Sequence, residues 1–245
     1  MRVRTRPSRT SYTGGVPNSS PSDSRGPGDP RGPGDSGDSR SDRRPSLRTE
    51  QVAQTRAALV DAARRLFGEN GFAATSVDDV AQAARLTTGA LYHHFPNKTA
   101  LFESVFEGIH AELMEASVHA AAGASDDLEL LARGFEAFLD AVLEPDVQRI
   151  IIIDAPAVLG LARFTELDER YAFAAITAAL QSAAGSGTLR VDDPETLARL
   201  LLGALTRGGM LIANSLQPRE TRDAVARSIR ALLQGLSSTD TSSGQ

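Results

Sequence analysis

The chain has 245 residues, enough for one or two domains with a sizeable buried core. It has no cysteine, which excludes disulfides and thiolate chemistry, and its longest uninterrupted apolar stretches, such as Ile150–Ile153, fall far short of the ~20 residues that span a bilayer. The net charge of −5 is uneven: residues 1–50 hold ten Arg against six acidic residues, so the remainder carries −9, a balance that does not by itself point to nucleic acid.

Residues 1–50 are built from Pro, Gly, Ser, Arg and Asp, with "RGPGD" at Arg25 and again at Arg31. Such a segment buries too little apolar surface to offset the entropy of ordering, so a disordered basic arm is expected. It reads either as an inert extension, which composition favours, or as an arm that touches DNA phosphates. No apolar stretch follows the basic start MRVRTRPSRT, so a secretory signal is not expected and a cytoplasmic protein is.

From Gln51 onward the periodicity is helical. Leu59, Val60, Ala63, Leu66 and Phe67 form one apolar face of a first helix, which Asn70-Gly71 should end with Gly71 left-handed and Phe72 packing back. Ser76 followed by Asp79 reads as a capping box opening a short second helix with Val77, Val80, Ala81 and Ala84 facing inward. A third short helix is expected from Thr88 to about Phe95, anchored by Leu91 and Phe95. A long helix follows Asn97 to about Gly123, and further helices are expected over 126–143, 145–154, 157–163, 166–184, 194–216 and 220–234. Strand-like alternation is nearly absent. The fold class is therefore all-α: a three-helix helix-turn-helix at 51–97, a helical bundle at 98–236 and a short tail at 237–245.

Three helices with a four-residue connection between the second and third match a helix-turn-helix. A third helix of about eight residues is ~12 Å long, the width of the major groove. Its groove-facing residues would be Thr87, Thr88, Gly89, Tyr92 and His93, with Gly89 admitting close approach of the backbone. Lys98, the sole lysine, lies at a helix N-terminus where a cation is disfavoured unless an anion sits between it and the dipole. A DNA phosphate would be that anion, with Tyr92 and Ser76 gripping its neighbours.

The stretch from Ala62 to Phe106, "AARRLFGENGFAATSVDDVAQAARLTTGALYHHFPNKTALFESVF", resembles the DNA-binding domain of TetR-type (tetracycline-repressor-like) transcriptional regulators. The resemblance rests on Phe67, Gly71, Phe72, Thr75, Ser76, Leu91, Tyr92, His94, Phe95 and Lys98. It implies that Ser76, Thr87, Thr88, Gly89, Tyr92, His93, His94 and Lys98 fall on DNA-contact positions. Arg85 departs from the pattern, standing where the family often has Gly in the turn.

Leu197, Leu201, Leu205 and Gly208, with Val225, Ile229 and Leu232 on the last helix, form apolar stripes that face either the chain's own core or a partner. The resemblance favours a four-helix dimer interface. It also implies a small-molecule site among the middle helices, with Phe135, Phe138, Val142, Ile151, Leu159, Phe164 and Tyr171 as candidate lining. No nucleophilic triad, paired carboxylates or metal-ligand spacing stands out; His93 and His94 are adjacent on a helix and diverge. Neither catalysis, a metal nor another cofactor is therefore expected. The reading is a homodimeric regulator of a palindromic operator, most simply a repressor released by an unidentified small molecule. Its rivals are an activating or ligand-independent regulator and a helical small-molecule-binding protein without DNA binding.

Overall fold

The computed structural model describes residues 47–237, and every regular element among them is helical. The expected disordered arm lies outside these residues except for 47–50, which are already helical, and residues 238–245 of the C-terminal tail also lie outside.

Helix α1 spans Leu47–Ala74 and is broken at Gly71, whose φ of 81° and ψ of 165° leave the helical region. Only glycine adopts that backbone without strain, and the space matters too: a Cβ there would collide with the Arg149 guanidinium. Beyond the break Phe72 folds back. Its ring lies 5.7 Å from Phe67 and 5.3 Å from Phe102, closing an aromatic cluster between α1 and α4.

Helix α2 (Val77–Ala83) opens with the expected capping box at Ser76 and Asp79. Arg85 follows it with φ 59°, while Leu86 N–H bonds to the Ala81 carbonyl across the helix end. Arg85 thus occupies the left-handed position usual for glycine, at a cost of about 1–2 kcal/mol. Helix α3 (Thr88–His94) is capped by Thr87 and held by buried Leu91 and Phe95.

Helix α4 (Lys98–Ala121) is the spine. Leu101, Phe102, Val105, Phe106, Ile109, His110 and Leu113 are buried along it, against α1 at one end and α5 (Asp127–Ala141) and α8 (Leu161–Gly185) at the other. The chain between α5 and α8 differs from the expected helices over 145–154 and 157–163. Only α6 (Pro145–Val147) is α-helical before Gln148–Asp154 winds as a π-helix. There Ile150, Ile151 and Ile152 are all buried, flanked by α1 and by α9. After α7 (Ala155–Leu159), Gly160 takes φ 75° and breaks the chain, so α8 begins at Leu161. Val158 and Leu159 kept the apolar rhythm running through that break, which is why periodicity alone joined the two sides.

Helices α9 (Pro194–Ala213) and α10 (Pro218–Gly235) close the bundle. Helix α9 has the length and mean apolarity of a membrane span, yet it packs on α8 and α10 with Leu201, Leu202, Leu205 and Ile212 in the core. Gly208 and Gly209 permit this: a Cβ on either would sit 2.7 Å from Val225 or Ile152 within the same chain.

Candidate nucleic-acid interface

The α2–turn–α3 unit presents α3 with Tyr92 and His93 exposed and His94 half-buried. Tyr92 retains 53% of its surface, and its large polar-tipped ring finds no place in the core. Thr87 Oγ1 accepts from Ala90 N–H at 3.1 Å, which leaves its own hydroxyl hydrogen to donate outward. Thr88 instead donates to Asp78 at 2.6 Å, bracing α3 against α2. Around Gly89 a Cβ would meet nothing nearer than Thr87 Oγ1 at 3.9 Å, so packing does not call for a glycine there.

Two residues expected to contact phosphates spend their polar side-chain atoms within the chain. The Lys98 ammonium does not face outward. It donates to the carbonyls of Phe72 at 2.8 Å and Thr75 at 2.9 Å and lies 4.2 Å from the Phe72 ring centre. The electronegative end of α1 is thus the anion equivalent that offsets the α4 dipole. Lys98 thereby locks the start of α4 to the end of α1. The second is Ser76, whose hydroxyl donates to Asp79 at 2.6 Å while accepting from the Asp79 N–H at 3.0 Å. The Ser76 hydroxyl, and after it the Ser76 amide at 2.9 Å, donate to the Asp79 carboxyl and hold it below its usual range, so a carboxylate already sits at the start of α2. Of the contacts expected around α3, Thr87, Gly89, Tyr92 and His93 are exposed, while Thr88 is half-buried with its hydroxyl on Asp78.

Further along α4 lies a cavity of about 430 Å³ between α4, α5, α8 and α9, a usual size for small-molecule pockets. Phe135 and Phe138 line it. Val142, Ile151, Leu159, Phe164 and Tyr171 do not: Val142, Ile151 and Phe164 are spent in the core, Leu159 packs against it, and the Tyr171 ring lies tilted beside His110 with centroids 5.5 Å apart. Two residues of the cavity wall, His110 and Asp168, are not singled out by the sequence analysis. His110 is 4% exposed and its Nε2 lies 3.3 Å from Asp168 Oδ1 at the cavity wall. Its position between Phe106 and Leu113 on the inward face of α4 was the available signal.

The stripes expected at a partner interface are mostly covered by the chain itself. Leu201, Leu205, Gly208 and Ile229 are buried within the chain itself, and Leu197 and Val225 are half-buried against it. Of the seven residues only Leu232 is exposed. The apolar surface that α9 and α10 leave uncovered is Leu232 together with Leu200 and Leu211, which belong to the same apolar α9 stripe, with open space above Gly203.

Comparison with known proteins agrees with this layout. Residues 59–105 match the family model "Bacterial regulatory proteins, tetR family", and residues 128–236 match "Tetracyclin repressor-like, C-terminal domain". The crystal structure of a TetR-family transcriptional regulator from Pectobacterium atrosepticum is 35% identical, covers 78% of this chain and 97% of its own, and superposes with a TM-score of 0.69. The transposon Tn10 TetC protein of Escherichia coli is 27% identical over 63% of this chain and 78% of its own length. The HTH-type transcriptional regulator TtgR of Pseudomonas putida is 34% identical over 41% of this chain, a match spanning about half of that regulator (49%).

Proposed function

The chain belongs to the TetR family of bacterial transcriptional regulators, and on that footing we propose that it is a homodimeric repressor released from its operator by a small molecule. The observation that carries this reading is the path of α4. One end of that helix is tied to α1 through Lys98, and the other forms a wall of the cavity. A ligand that shifts the cavity wall therefore acts on the same rigid element that seats the helix-turn-helix.

In this reading each subunit inserts the N-terminal end of α3 into a major groove, with the Thr87–Gly89 tip against base edges and Tyr92 on a phosphate. Two subunits address half-sites about 34 Å apart, or a multiple of that, so a small change in the separation of the two α3 helices breaks simultaneous contact. The exposed face of Leu200, Leu211 and Leu232 is where the subunits meet. An acidic chain of net charge −5 has little general attraction for DNA, so binding rests on these local contacts.

The direct test is gel retardation and fluorescence anisotropy of the purified chain with fragments flanking its own gene, across a salt series and without effector. We expect retention confined to a palindromic fragment and weakening as salt rises. Retention indifferent to sequence, or none, rejects the reading. Transcripts that fall when the gene is deleted would reject repression in favour of activation.

A further inference from the structure

We infer that the effector is a non-anionic molecule with an apolar body that brings its own hydrogen-bond donor, a hydroxyl or an ammonium, to the Asp168 corner of the cavity. This rests on the cavity being the effector site.

The walls are mainly hydrocarbon, and the few polar atoms share one character. Ser117 spends its hydroxyl hydrogen on the Gly134 carbonyl at 3.2 Å, and Thr206 spends its own on the Leu202 carbonyl at 3.1 Å. Both therefore offer the cavity only oxygen lone pairs. His110 lies between two acceptors, with Nδ1 3.2 Å from the Phe106 carbonyl and Nε2 3.3 Å from Asp168 Oδ1. A neutral ring has one N–H for these two contacts, and a protonated ring has none to spare. Asp168 Oδ2 has no hydrogen-bond partner among the described residues. On every protonation pattern, acceptors outnumber donors at this wall.

The lining also contains no Lys or Arg, and Asp168 is its one acidic side chain. A carboxylate, phosphate or acyl thioester of a charged carrier would lose its hydration beside a like charge, with no Lys or Arg to replace it and no N–H of His110 to spare. An alcohol or phenol, or an alkylammonium, satisfies Asp168 and buries its hydrocarbon against Leu113, Met114, Phe135, Phe138 and Ile176. The arrangement is selective for donors and repels anions.

The test uses four matched probes on the full chain by titration calorimetry: 4-butylphenol, 4-butylbenzylamine, butylbenzene and 4-butylbenzoate. We expect the phenol, the amine or both to bind at least tenfold more tightly than butylbenzene, with the benzoate weakest. Binding by the phenol alone identifies a neutral hydroxyl ligand, and by the amine alone a cation. In Asp168→Asn the advantage of the donor over butylbenzene should shrink by about tenfold. Thr206→Val, an apolar near-isostere, should shrink it less while keeping the melting temperature. Benzoate binding as tightly as phenol overturns the inference, as do butylbenzene matching both donors, no binding by any probe, or an Asp168→Asn variant with wild-type melting and undiminished discrimination. Butylbenzene matching the donors would still leave a functioning apolar effector site, and operator retardation measured without probe reports separately on the regulator reading.

Discussion

At Gly89 stability and binding pull in opposite directions. A methyl group there has room, and alanine is favoured over glycine inside a helix by about 1 kcal/mol. Gly89→Ala should therefore raise the melting temperature, by about 2–4 °C for a chain of this size, yet weaken operator binding by roughly tenfold, about 1.4 kcal/mol. Calorimetric melting and DNA anisotropy on one preparation check both halves; unchanged DNA affinity would remove the close-approach role of this position. The sequence made Gly89 and Tyr92 legible because both are wrong for a core: one buries nothing, and the other lies off the Leu91–Phe95 face. It left Lys98 half-read. Spacing along the chain shows that a cation opens α4, but the Phe72 and Thr75 carbonyls that receive it are 26 and 23 residues away, and only the break at Gly71 turns them toward it.

Among the elements, the helix starts carry the clearest pH dependence. Glu129 in the first turn of α5 accepts the Ser125 amide at 2.6 Å, the main cause, and the Arg133 guanidinium also at 2.6 Å; its pKa falls from 4.5 to about 2. A carboxyl depressed on folding stabilises the native state at pH above its unfolded value and loses that contribution as pH falls toward the folded one. Melting temperature should therefore decline as pH drops from about 4.5 to about 2, and Glu129→Gln should have a lower plateau at neutral pH and a shallower acid limb. Identical acid limbs in melts across that range would rule the cap out as a contributor. Caps of this kind were readable from local sequence, as at Ser76–Asp79, because each is closed within four residues. The π-helix and the Gly160 break were not, since they depend on what the Ile150–Ile152 run meets in space.

For the molecule as a whole, a ladder of charges runs along the contact between α4 and α8. Arg163 joins Glu103 to Glu166, Arg170 joins Glu107 to Glu166, and the series ends at the His110–Asp168 pair on the cavity. Each exposed pair contributes only about 0.2–1 kcal/mol, so the ladder fixes the register of the two helices more than their stability. The C-terminal half of α1 is tied to α4, α6 and the π-helix as well. Arg64 bonds Glu112 at 2.6 Å and Asp146 at 2.9 Å, and Asp154 accepts the Phe72 amide at 2.8 Å just past the Gly71 break. Assembly belongs to this scale too. Leu200→Glu with Leu211→Glu should yield folded monomers by sedimentation that no longer retain operator DNA. Leu201→Glu, which buries a charge in the chain's own core, should instead lose helical circular dichroism. Dimers surviving the first pair would move the interface elsewhere. The all-α class and the helix-turn-helix were legible because their signals are periodic. The apolar stripe of α9 was legible too, but not which of its members face outward, since Leu200 and Leu201 are neighbours in sequence and only tertiary packing decides which is covered.

A chain whose one lysine is tucked into a clamp carries its own chemical timer. Side-chain acylation by an amine-reactive ester needs the Lys98 nitrogen free of the two carbonyls, so the reaction reads how often α1 and α4 part. Peptide mapping by mass spectrometry should find Lys98 modified far more slowly in the native protein than in urea, and modification should be followed by release from DNA. Equal rates in both conditions would mean that the clamp stands open.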